Sequence, residues 1–188
     1  MANLLGRSVA DLSAAAWFGG SLMGALGLNG AASKAKDPED RTRLTTVGWK
    51  RWAPVQDAAV GLYLAASFSE LLDNKTRSAT QHGVARINTY KTVVMIAGAG
   101  MTVYTSIVGR RYGKLVEEDA RKGQPAAGAT EPSAGTSPEL ASVQGQLRTL
   151  QWVQALFGGW LIVVDAKQGE MQRPGNVVKG LVRKLARR

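Results

Sequence analysis

Thr92-Val93-Val94-Met95-Ile96-Ala97-Gly98-Ala99-Gly100-Met101-Thr102-Val103-Tyr104-Thr105-Ser106-Ile107-Val108-Gly109 is a run of 18 residues without a charge, closed by Lys91 at one end and Arg110 at the other. Wound as a helix it measures about 27 Å, close to the ~30 Å hydrocarbon core of a bilayer. Its helix is expected to begin near Ser78 or Gln81 and to run towards Arg121, where Gly123 stops it.

A second apolar stretch, Leu12 to Ser33, has 22 residues and no charge. It is rich in small residues, among them Gly19, Gly20, Gly24 and Gly27. Each glycine costs a helix in water about 1 kcal/mol relative to alanine. In lipid the same residues let two backbones approach closely, so this composition suits a packed membrane helix. Gly98, Gly100, Gly158 and Gly159 are read in the same way, as helix-packing positions. Trp17, Trp49 and Trp52 are expected at the membrane interface, where amphipathic indoles collect.

Ala53 to Leu72 is a weaker span, because Gln56 and Asp57 lie near one end and Glu70 near the other. These three form the candidate polar membrane site, joined by Tyr63 if the helices enclose a cavity. An acid at membrane depth is a functional candidate by default. Pairing of Asp57 and Glu70 with Arg51 or Lys75, or contact with headgroups, is the plainer expectation. Asp11 and Asp165 are read as boundary acids. Thr149 to Val164 is uncharged over 16 residues and supplies a fourth apolar stretch, ended by Asp165.

Polar segments separate these stretches. Asp37-Pro38-Glu39 and Ser137-Pro138-Glu139 both read as helix starts, with a capping side chain, proline at the first position and an acid in the first turn. Gln124 to Pro138 is Gly, Ala, Ser, Thr and Pro apart from Gln124 and Glu131, and is expected to be a flexible linker. At the C-terminus, Val177, Val178, Leu181, Val182 and Leu185 share one helical face. Lys179, Arg183, Lys184, Arg187 and Arg188 make the segment a basic amphipathic helix suited to anionic lipid.

The 188 residues carry 24 Lys+Arg against 14 Asp+Glu, a net charge of +10 that suits an anionic partner. With no cysteine and one histidine, thiolate chemistry and multi-histidine metal sites are excluded in the monomer. No phosphate-binding glycine loop or nucleophile elbow occurs, and His82 alone gives a catalytic triad little support. No catalytic residue, metal or cofactor is assigned.

The sequence therefore reads as an all-α integral membrane protein, a four-helix up-down bundle with a C-terminal basic amphipathic helix. Residues 1–122 hold three helices, 123–138 the linker, 139–166 the fourth helix and 167–188 the tail. Four spans place both termini on one side. The basic residues divide evenly between the two sides, 12 and 12, so the lipid-seeking tail selects the cytoplasmic side. The expected role is a membrane scaffold or accessory subunit that meets another protein, or itself, through its small-residue faces. A carrier or membrane enzyme with a cavity between the helices, or a soluble basic bundle on nucleic acid, are its rivals. Nucleic acid is disfavoured for want of any recognition motif.

Overall fold

A computed structural model describes residues 2–73, 82–123, 128–133 and 135–171, and these are helical with short connections and no strand. Helix α1 is Ala2–Leu22. It passes without a break through a π-helical turn, Met23–Leu28, into a last α-turn, Asn29–Ala32. Helix α2 is Pro38–Asp73, α3 is His82–Arg121 and α4 is Pro138–Met171.

Local chemistry sets the helix ends. The Asp37 carboxylate accepts from the Glu39 N–H at 2.9 Å, and the Ser137 hydroxyl accepts from the Leu140 N–H at 3.3 Å. Each satisfies a donor that the first helical turn leaves orphaned. Gly123, two residues past α3, has φ +73°, a conformation glycine adopts without a Cβ penalty.

Three helices are longer than the expected segments. The polar stretch before Ala53 is the first half of α2, which runs for 36 residues. Pro54 lies inside it without ending it; proline removes one N–H donor, and neighbouring contacts hold the helix together. Leu28-Asn29-Gly30, a sequence common in turns, is helical. Asp165 does not end α4, which continues to Met171. A charge stops a membrane-apolar stretch; it does not stop hydrogen bonding along a helix.

The helices form a bundle with two cores stacked along its axis. One core gathers Ala10, Ala14, Trp17, Val60, Tyr63, Ala66, Met95 and Leu161. The other gathers Val108, Tyr112, Leu115, Leu140, Val143 and Leu150, and it includes Ala129 from the connector. Tyr112 and Gln144 both donate to the Gly128 carbonyl, at 2.9 and 2.7 Å. The described part of the expected linker is thus tied down by hydrogen bonds and a buried alanine.

Among the described residues, three segments are long and apolar enough to cross a membrane: Leu4–Ala32, Ala85–Arg121 and Pro138–Met171. Helix α2 is not among them. The basic tail, with Lys179, Arg183, Lys184, Arg187 and Arg188, lies outside the described residues, as do Lys75 and residues 124–127 of the linker.

Candidate functional site

Buried residues at three- and four-residue spacing run down the inner face of α4, through Leu140, Val143, Gln144, the partly buried Leu147, Leu150, Gln154, Gly158, Leu161 and Val164. That is the spacing of one helical face. Gln144 donates to the connector, and Gln151, Gln154, Gln168 and Asp165 each meet a polar partner on another helix. They build a polar axis through the bundle.

At one end Asn29 donates to the Gln151 carbonyl at 2.8 Å and accepts from the Trp49 indole at 3.0 Å. The π-turn helps bring Asn29 here. Its N–H bonds five residues back, to the Gly24 carbonyl. One inserted residue rotates all that follows by about 100°. A step further along, Gln56 accepts from the Trp52 indole at 2.9 Å and donates to the Gln154 carbonyl. Both amides are buried.

At the opposite end lies a cluster of charge. Lys91 is 2% exposed, with its Nζ 2.7 Å from Asp165 Oδ1 and 3.2 Å from Glu70 Oε2. The Tyr63 hydroxyl donates to Asp165 Oδ2 at 2.9 Å. Its ring takes the Lys91 ammonium at 5.5 Å from the centroid, a cation–π contact. Asp165 Oδ1 has no hydrogen-bond partner. Its approach to Lys91 is therefore an ion pair with poor hydrogen-bond alignment. Beyond the cluster, Gln168 donates to Asn88 at 2.7 Å.

Of the expected polar site, Gln56 and Glu70 face inward but meet different partners, and Asp57 is exposed. Tyr63 belongs to the Glu70 end. Glu70 pairs with Lys91, a residue read from sequence only as the border of the apolar run. Asp165, read as a boundary acid, is the cluster's centre. Three charges bordering three apolar stretches converge because antiparallel helices bring those borders to one level.

The glycines divide by what they touch. A Cβ on Gly20 would collide with the Trp52 ring, and one on Gly24 with the Trp49 ring. These indoles were expected in a headgroup layer; they are half-buried in grooves that the glycines open. Gly98 sits 2.9 Å, measured from an ideal Cβ, from the Trp17 ring. Trp17 is fully buried rather than interfacial, edge-on to Tyr63 with centroids 6.3 Å apart. Gly158 and Gly159 take Phe18, and Gly27 lies beside Met23 of its own helix. Gly19 and Gly100 have nothing within 4 Å of a built Cβ. Among the described residues no other helix packs against them.

The amide pair yields a graded expectation. Gln154→Leu leaves the Gln56 NH2 without its acceptor, whereas Gln56→Leu orphans both the Trp52 indole and Gln154. Each orphaned buried group costs about 1–3 kcal/mol. Gln56→Leu should therefore destabilise the protein more than Gln154→Leu, measured by denaturant titration in mixed micelles. The reverse order would show that water reaches Gln154.

No group of His, Asp and Glu among the described residues could hold a metal ion. Comparison with protein families, characterised proteins and solved structures returns no match.

Proposed function

We propose that the chain is a multi-pass membrane protein that acts as a scaffold or accessory subunit, with its helix faces on lipid and on a partner subunit. The observation that carries this reading is an inverted polarity. Leu12, Ile96 and Leu156 are 72%, 63% and 71% exposed, while Gln144, Gln154 and Lys91 lie inside. Water would penalise so large an apolar surface, and hydrocarbon would not. Polar side chains that face the bundle interior and pair with one another are the pattern lipid imposes.

Helix α2 fits as a fourth span on the same grounds. Gln56, Tyr63, Ser67 and Glu70 lower its hydropathy, but they face the other helices and leave Val55, Leu62 and Phe68 outside. Arg7 lies against Gly169, so the start of α1 and the end of α4 share one end of the bundle. In this reading both termini are cytoplasmic, and the tail from Asn176 to Arg188 holds anionic lipid there. A scaffold is favoured over a carrier or enzyme because Gln56, Tyr63 and Glu70 are engaged inside the chain. Gly19 and Gly100 face outward, where a second helix could approach closely.

Washed membranes extracted with alkaline carbonate should retain the chain. Recovery of folded, helical protein in detergent-free buffer would overturn the membrane reading and revive the nucleic-acid one. In mild nonionic detergent the protein should run as an oligomer or with a stoichiometric partner. A lone monodisperse monomer would overturn the scaffold role while leaving the membrane placement standing.

A further inference from the structure

A cavity of about 250 Å³ opens beside the end of the α1 segment, with Ala129 of the second core in its lining. Arg41 of α2 and Arg148 of α4 line it, with Asn29, Gln151, Trp152 and Glu131. Two guanidiniums face one carboxylate, so the lining is net positive. Among the described residues neither arginine is in an ion pair.

The arginines differ in how they are held. Arg41 is half-buried, and its Nε donates to the Ala35 carbonyl at 2.6 Å. That bond fixes the guanidinium and leaves its two terminal nitrogens to donate. Arg148 is exposed and supplies a second fork. Gln151 has its carbonyl occupied by Asn29, which leaves its NH2 as a neutral donor. Planar guanidinium forks match the oxygens of a phosphate, and two such forks make a clamp.

Size and level narrow the class further. The cavity is open on one side, and its volume is enough for a phosphate with a small substituent. The uncharged run of α1 ends at Ser33 and that of α4 begins at Thr149. The cavity therefore lies at the border of the apolar zone, with the Trp152 ring partly exposed beside it.

We propose that this cavity binds a phosphate-bearing anion of headgroup size between Arg41 and Arg148. The site itself is independent of the membrane reading; only a lipid as the source of the phosphate rests on it.

The test uses the purified full chain in nonionic detergent. Calorimetric titrations with short-chain phosphatidylglycerol and with inorganic phosphate are compared for wild type, R41Q/R148Q, E131Q and the exposed basic pair at the end of α3, R121Q/K122Q. Saturable binding is expected, weakened about tenfold or more in R41Q/R148Q, tightened in E131Q and unchanged in R121Q/K122Q. Lipid binding that phosphate does not displace identifies a headgroup; displacement by phosphate identifies a free anion. Absence of saturable binding by either probe, or R41Q/R148Q binding like wild type while folded by circular dichroism, overturns the site. Carbonate extraction of R41Q/R148Q keeps the two readings apart: a variant that stays in the membrane but does not bind loses its site without affecting the membrane placement.

Discussion

Lys91→Met should lower the unfolding free energy by about 3–5 kcal/mol, the usual cost of breaking a buried ion pair from one side. The side chain is 2% exposed and sits between Asp165 and Glu70. Without the ammonium, Asp165 keeps only the Tyr63 hydroxyl among the described residues. Two carboxylates would then face each other where the effective dielectric is low. The loss comes from stranded negative charge more than from the missing attraction. Lys91→Met combined with Glu70→Gln and Asp165→Asn should therefore recover most of the stability, since neutral groups of similar shape often replace a buried pair at little cost. Unfolding titrations in mixed micelles across the single and triple variants measure both effects. A single variant within about 1 kcal/mol of wild type would mean that water solvates these carboxylates in the folded protein.

The second large effect belongs to the glycine grooves. Gly20→Ala places a methyl inside the Trp52 ring position, and Gly24→Ala does the same to Trp49. Neither ring can retreat freely, because the Trp52 indole is bonded to Gln56 and the Trp49 indole to Asn29. Overpacking of this kind costs about 1–3 kcal/mol, occasionally more. Both substitutions together should separate α1 from α2 and break two rungs of the polar axis. Gly19→Ala and Gly100→Ala meet no atom of another element within 4 Å and should leave the fold of the single chain within about 0.5 kcal/mol of wild type, their effect falling instead on association with a second helix. Trp52→Leu in the Gly20→Ala background should restore part of the loss by returning the volume. The same thermal or denaturant melts decide it: if Gly20→Ala is as mild as Gly19→Ala, the α1–α2 contact does not depend on this groove.

Both predictions concern residues whose type was conspicuous in the sequence and whose partners were not. Helices are local objects: capping side chains, proline at a first position and the spacing of apolar residues act within a few positions. The starts at Asp37-Pro38 and Ser137-Pro138, and the stop at Gly123, were therefore legible from the chain alone. So were three helices apolar enough to cross a membrane and the enrichment of glycine on their faces. What surrounds a side chain is not local. Lys91 and Asp165 marked the limits of apolar runs, and nothing near either residue pointed to the other across the 73 intervening positions. Trp17, Trp49 and Trp52 carried the composition of an interfacial belt, yet glycines on neighbouring helices drew them inward. Which glycines open grooves and which face outward follows from helix rotation, and at Asn29 that rotation includes one π-helical residue. Sequence thus determined the elements and their polarity, because hydrogen bonding and hydropathy are properties of short segments. Tertiary structure alone decided the pairings, because burial and Coulomb energy depend on distances that only the packed helices set.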